Sequence, residues 1–260
     1  MESLFLALFA GCVSLLTLFS GFGLGTLLMP AFALFLPIEA AVAATAVVHA
    51  ANNLFKVGLL AGDADRGVVL RFGLPAVAAS FVGAFALTSL AGQATLHSWE
   101  FLGRTSHITP TKLVMGLLIV AFALLELVPA LRALRAPTRW LPLGGLLSGF
   151  FGGLSGHQGA LRAAFLAPLD LTPTRFAATQ AMIALGVDGA RLLVYGAAFS
   201  LAGGAVSAIP WPLVAIVTAA AFVGSFIGKR LLRKVTLAGL HRVVGALLLL
   251  VGAALALGIA

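Results

Sequence analysis

Long apolar runs joined by short polar connections organise the chain. They lie at about 3–36, 39–61, 68–90, 110–129, 140–169, 174–200, 209–228 and 240–259. Most reach the roughly 20 residues a helix needs to cross a bilayer. Apolar positions surround each run instead of alternating with period 2, which argues against a transmembrane β-barrel. Two runs are too long for one simple crossing. At 1.5 Å per residue the first would make about 51 Å of continuous helix and the fifth about 45 Å. Both are interrupted, by "GFGLGTLLMP" (residues 21–30) and "GGLSGHQGAL" (residues 152–161). In a helix interior Gly costs about 1 kcal/mol and Pro about 3 kcal/mol relative to Ala. Each of these runs therefore predicts a pair of half-helices hinged at the glycines.

Composition says which solvent these runs meet. Of 260 residues, 61% are hydrophobic and 9% charged, and the mean hydropathy is +1.13. A soluble domain carries about a quarter charged residues, so this chain cannot cover a water-facing surface. It reads as an integral membrane protein. The net charge of +8 is gathered in short loops, as the positive-inside rule expects, and does not mark a nucleic-acid surface. Cys12 is the only cysteine and can form no internal disulfide. The start "MESLFLALFAG" lacks a basic n-region, so no cleavable signal is expected.

The charges also constrain the topology. Arg132, Arg135 and Arg139 form one cationic connection, and Lys229, Arg230, Arg233 and Lys234 with His241 and Arg242 form the other. Both are expected in the cytoplasm. Three apolar runs separate them, but two loops on one side need an even number of crossings. Run 140–169 must then enter and leave on the same side, as a re-entrant hairpin hinged at Gly152–Gly159. Treating 3–36 likewise leaves an odd number of crossings per half, which turns the second half upside down relative to the first. Both termini are then expected outside. Residues 97–112 fall outside as a polar connection, which is the weakest fit because they include Arg104 and Lys112.

An internal repeat supports the two halves. Gly25 and Gly159 are 134 positions apart, as are Thr45 and Thr179, each closing an Ala-Ala-Thr triplet. One residue out of step, Ser20-Gly21 matches Ser155-Gly156 and Lys56 matches Arg191. The expected fold is an all-α polytopic membrane protein with two homologous halves, residues 1–131 and 132–260, in an inverted repeat. Each half holds a Gly-rich broken hairpin plus three spanning helices, the last of them closing the chain, in a single integrated transmembrane domain.

In hydrocarbon, a broken helix survives only where it is buried in protein or lines a wet cavity. Its exposed N–H groups then make an anion site near the midplane, and paired breaks point to a transporter's substrate site. The candidate donors are the backbone and side chains of Ser20, Gly21, Gly23, Gly25, Ser155, Gly156, His157, Gln158 and Gly159. Glycines used only for tight helix packing are the structural alternative. Polar residues inside the spans add Thr45, His49, Asn52 and Asn53 on the second run, and Thr179, Gln180 and Arg191 on its counterpart. Thr45, His49, Asn52 and Lys56 are spaced to share one helix face. Asp188, His49 and Lys56 are candidates for coupling to a proton or sodium ion. For Asp188 and Arg191 the alternative is a purely structural ion pair, for Lys56 it is snorkelling to the interface, and for His49 a bond to Asn53. Arg162 faces either an anion or Asp170. No cofactor or metal motif is present, and "GFGLGT" is not followed by the GK[ST] of a nucleotide loop.

The stretch "SGFGLGTLLMPAFALFLP" followed by "AAVAATAVVHAANN", and its repeat "LSGHQGALRAAFLAPLDLTPTRFAATQAMIALGVDG", resemble the TauE/SafE family of bacterial permeases over nearly the whole chain. The resemblance implies transport of a sulfur-containing anion, such as sulfite or a sulfonate, across the inner membrane. That family's breaks commonly carry consecutive glycines, whereas these read "GFGLG" and "SGHQG", which bears on the substrate more than on the fold. The expected function is a secondary transporter of a small anion working by alternating access, and not an enzyme. Its partners would be the lipid bilayer, the anion and a coupling ion, with a homo-oligomer as an option. The alternatives are an uncoupled anion channel and an intramembrane enzyme using His49, His157 and Asp188.

Overall fold

The computed structural model describes residues 2–17, 24–101, 103–132, 135–201, 209–231 and 237–259. Ser20, Gly21 and Gly23 of the first break lie outside them. The expected runs become helices. The first gives α1 (Glu2–Thr17) and α2 (Leu24–Ala33), then comes α3 (Ile38–Leu60). A short α4 (Arg66–Val68) runs through a π turn at Val69–Gly73 into α5 (Leu74–Leu90). Pro75 accounts for that turn, because it has no N–H for the Arg71 carbonyl. There follow α6 (Pro110–Leu127), a single turn α7 (Pro129–Arg132), the broken pair α8 (Leu141–Ser155) and α9 (Gly159–Leu166), α10 (Pro173–Leu201), α11 (Trp211–Leu231) and α12 (Leu237–Ala256). Among the described residues, five stretches are long and apolar enough to cross a membrane: Ile38–Asp63, Arg66–Leu90, Pro110–Leu127, Pro173–Ala198 and Trp211–Arg230.

The burial pattern is the reverse of a water-soluble domain. Leu8, Leu54, Phe85, Leu193 and Leu250 are exposed, while Asn52, Asp188 and Arg191 have no accessible surface at all. Only a hydrocarbon solvent makes that distribution stable.

Contacts fix which helix ends lie together. Asp65, after α3, pairs with Arg175 at the start of α10 (2.9 Å), and its N–H donates to Thr179 Oγ1 (2.9 Å). Asp65 also accepts from the Val68 N–H at 3.0 Å. That bond, ahead of the Arg175 guanidinium, holds its carboxyl below the usual range. Helix α5 leaves from this end. Helix α8 runs parallel to it, with Gly145, Gly149 and Gly153 against the backbone of Phe72, Ala76 and Ser80 in turn. Helix α9 then comes back: the Ala164 carbonyl accepts from Ala136 N–H at 3.3 Å, and Phe165 lies against Gly144 and Phe72. The second broken run is therefore re-entrant, beginning and ending at the Asp65 end.

The first broken run does the same from the opposite end. Lys229 Nζ reaches the Leu59 carbonyl (3.5 Å), so α11 finishes at the Asp65 end. Helix α1 is parallel to α11, with Gly11 against Ala220 and Ser14 Oγ 2.7 Å from Ser225 Oγ. Past the end of α2, Phe35 meets Phe5 near the start of α1, with ring centroids 6.1 Å apart. Helices α3 and α10 pack on each other between the hairpins, and α6 lies antiparallel to α12, with Gly116 at Ala256 and Leu127 at Gly245. If α1, α2, α3, α5 and α6 are exchanged with α8, α9, α10, α11 and α12, the α5–α8 pair becomes α11–α1, while α3–α10 and α6–α12 become themselves.

One connection differs from the expected polar loop. Residues 97–101 and 104–108 form an antiparallel hairpin, β1 (His97–Phe101) and β2 (Arg104–Ile108), with His97 opposite Ile108. Gly103 turns it at φ 74°. The Trp99 indole donates to the Leu257 carbonyl at 2.9 Å, which ties the hairpin to the end of α12.

Candidate functional site

The start of α2 meets the second break where α3 faces α10. Helix α8 ends in a left-handed residue, Gly156 (φ 81°), whose N–H bonds back to the Gly152 carbonyl. Ser155 Oγ donates to the Phe151 carbonyl at 3.0 Å and lies 3.4 Å from the His157 N–H, so in this conformation its hydroxyl caps the turn. From the other hairpin Gly25, in the first turn of α2, sits against His49 and against the Gly156 carbonyl: a methyl there would lie 3.2 Å from the imidazole and 3.4 Å from that oxygen. Pro30 leaves the Thr26 carbonyl without its helical N–H, and the His157 ring lies near that carbonyl, Nε2 stopping short of a hydrogen bond.

Asp188 is the centre of the polar group. Its Oδ2 is 2.7 Å from His49 Nδ1 and accepts from Asn53 Nδ2 at 3.0 Å. Its Oδ1 accepts from Arg191 Nε at 3.0 Å and Nη2 at 2.8 Å. Asn53 Nδ2 is also 3.1 Å from His49 Nδ1. Both bland alternatives of the sequence reading thus occur, the Asp188–Arg191 pair and the His49–Asn53 contact, but within one buried cluster. The third guanidinium nitrogen, Arg191 Nη1, makes no hydrogen bond and would lie 2.8 Å from a methyl on Gly156. Tyr195 donates its hydroxyl to the Gly153 carbonyl and flanks Arg191.

A second group lies just past the break. Arg162 Nε donates to Gln180 Oε1, and Arg162 Nη1 donates to Gln158 Oε1 at 3.1 Å. Both amide nitrogens, Gln158 Nε2 and Gln180 Nε2, are buried without a hydrogen-bond partner, as is Thr45 Oγ1 on α3. Arg162 thus hydrogen-bonds to both of these amides beside the second break. Gly159 opens α9 beside this group and is buried.

The expected single face on α3 divides in two. His49 and Asn53, four residues apart, turn to α10. Asn52 and Lys56, also four apart, turn to α1 and α11. There Asn52 joins Ser14 and Ser225: Ser225 Oγ is 2.9 Å from the terminal amide, and Ser14 Oγ is 3.3 Å. With the Asn52 amide oriented to suit its neighbours, its oxygen accepts from Lys56 Nζ at 3.3 Å. Lys56 is buried, so its ammonium turns inward instead of snorkelling. Thr179 has its hydroxyl taken up by the Asp65 N–H and the Arg175 carbonyl. Ser14 and Ser225 are polar contributors that the sequence pattern does not single out. Lone serines in apolar helices carry no periodic signal, and only the parallel packing of α1 on α11 brings these two together.

Among the described residues no three of His, Cys, Asp and Glu gather as a metal site, so His49, His157 and Asp188 do not converge as a metalloenzyme would require. What does gather is a set of polar atoms, five of them without a hydrogen bond, around the second break and the start of α2 in a buried setting. Such a set suits a ligand that only accepts hydrogen bonds. No match to the chain is found among the curated proteins or the solved structures. Residues 4–255 match the family model described as Sulfite exporter TauE/SafE, and with nearly the whole chain inside that match, this membrane protein belongs to the TauE/SafE transporter family.

Proposed function

We propose that this chain is a secondary transporter of a small sulfur-containing oxyanion, sulfite or a sulfonate, resident in the bacterial inner membrane. In this reading residues 1–131 and 132–260 are inverted repeats, and the anion is held between their two breaks. Gly25, Gly156 and Gly159 let it approach the backbone. Thr45, His157, Gln158 and Gln180 supply donors, and Arg191 supplies the nearest cation. The same contacts that seat α1–α2 and α8–α9 from opposite ends support two gates, one per hairpin, and alternating access by rocking of one half on the other. The family's description supports the anion class.

The observation that carries this reading is Arg191 Nη1, a buried guanidinium nitrogen with no hydrogen bond, beside a left-handed glycine where the second break meets the start of α2. Leaving such a donor unmade costs about 1–3 kcal/mol, and an oxyanion would remove that cost.

The test is counterflow in proteoliposomes loaded with sulfite, thiosulfate, short sulfonates and matched carboxylates. Wild type should show trans-stimulated exchange of a sulfur oxyanion. Arg191→Ala alone strands Asp188, a change that costs about 3–5 kcal/mol for a buried pair, so its failure would say little. The double variant Asp188→Asn/Arg191→Gln keeps hydrogen bonding without the charges. It should fold and lose at least tenfold in exchange. Unchanged exchange in that variant, or no exchange of any anion by folded wild type, would sink the reading.

A further inference from the structure

His49 occupies a position between Asp188 and the first break that ties anion binding to a proton. One ring nitrogen, Nδ1, lies 2.7 Å from Asp188 Oδ2. The opposite edge, Cδ2 and Nε2, lies 3.2 Å from where a methyl on Gly25 would stand. Arg191 is arranged in the same way toward the second break: two nitrogens on Asp188 Oδ1 and the third, Nη1, toward Gly156. One carboxylate therefore holds two side chains whose outer nitrogens each face a glycine of one break.

The two outer nitrogens differ in one respect. Arg191 Nη1 is always a donor, because a guanidinium does not lose its proton. At 2.7 Å a proton must lie between Nδ1 and Oδ2, since a lone pair facing a carboxylate would be repelled. In neutral imidazole that is the ring's only proton, and Nε2 then presents a lone pair, which repels an anion. A second proton, on Nε2, turns the same atom into a charged donor. It also offsets the cost of placing a second negative group beside Asp188.

We propose that the anion binds together with one proton carried on His49 Nε2, so that the transporter is a proton–anion symporter. The proposal rests on the anion-transporter reading above. The groups that face this ring and its carboxylate come from three elements: Lys56 and Asn53 on α3, Arg191 and Tyr195 on α10, and Arg162 on α9. Lys56 and Arg191 are cations that oppose a further proton in the empty site. The anion removes that opposition when it enters. Proton and anion thus favour each other's binding, and by linkage the effect is reciprocal.

The experiment uses methanesulfonate or thiosulfate, both ionised throughout the neutral range, so that any proton taken up belongs to the protein. Added to the purified full chain in weak buffer with a pH indicator, either anion should withdraw one proton per site filled. Its Kd should weaken about tenfold per pH unit over the range in which His49 is neutral in the empty site. In proteoliposomes an inward proton gradient should drive its accumulation. His49→Gln should bind it more weakly and with no pH dependence. Saturable binding with no proton withdrawn and a flat Kd would overturn the proposal while leaving the transporter reading intact. So would wild-type proton withdrawal in His49→Gln. If that variant fails to fold, the wild-type proton count decides alone. Failure of every anion to bind would remove the transporter reading and this proposal with it.

Discussion

Gly156 is where a single atom has the clearest consequence. Its φ of 81° lies in the left-handed region, and a methyl there would stand 2.8 Å from Arg191 Nη1. Gly156→Ala should cost about 1–2 kcal/mol for the backbone alone, and it would also push the guanidinium away from the break. The expected result is a lowered thermal midpoint in detergent together with a tenfold or greater loss of exchange. Arg191 itself was legible in the sequence because a cation in the middle of an apolar run is expensive and needs a reason. Its bonding to Asp188 followed from the i, i+3 spacing. The Asp188–His49 contact did not, since it joins residues 139 apart in the chain and depends on how α3 lies against α10. Thr179 shows the opposite limit. Its match to Thr45 in sequence suggested a shared role, yet its hydroxyl ties α10 to the Asp65 loop while the Thr45 hydroxyl is left unbonded.

Among the elements, α5 and α8 make the closest contact on which a prediction can rest. Gly145, Gly149 and Gly153 recur every four residues on α8 and face the backbone of α5, the small-residue packing by which helices associate in lipid. A methyl at Gly149 would run into the Ala76 carbonyl. Gly149→Leu should force the helices apart and destabilise by at least the 1–3 kcal/mol or so typical of overpacking. The check is the fraction of monodisperse protein after mild heating, with Gly189→Leu as the control. A methyl at Gly189 meets nothing within 4 Å. Both interrupted runs were readable because their length and glycine content contradicted a single helix. The β-hairpin was not. Its strands are five residues each, too short to show a period, and what holds them is a bond from Trp99 to a residue 158 positions away. Sequence pattern reports local preference, and this element is decided by a distant contact.

For the molecule as a whole, the arrangement of ends follows from contacts that are independent of any charge rule. The start of α1, the β-hairpin and the end of α12 lie at one end of the bundle, and the Asp65 loop and the connection around Arg135 at the other. The charge distribution points the same way: Arg66, Arg71, Arg135, Arg139, Lys229 and Arg230 all belong to the Asp65 end. Two unrelated constraints, helix packing and cation placement, thus agree on which ends lie together, and by the positive-inside rule the Asp65 end is expected in the cytoplasm. The assignment can be checked with single cysteines. Cys12 is the only natural cysteine and is replaced first, by Cys12→Ser. Into that background Gln93→Cys, before the hairpin, and Asp63→Cys, in the turn after α3, are placed at exposed positions. A membrane-impermeant maleimide applied to spheroplasts should label the cysteine at 93 and leave the one at 63 untouched until the membrane is opened. The reverse pattern would invert the topology. It would keep the hairpin geometry but require the cationic loops to violate the charge rule. Labelling of both in intact spheroplasts would be incompatible with the packing itself, because α4 and α5 carry the chain from one of these positions to the other end of the bundle.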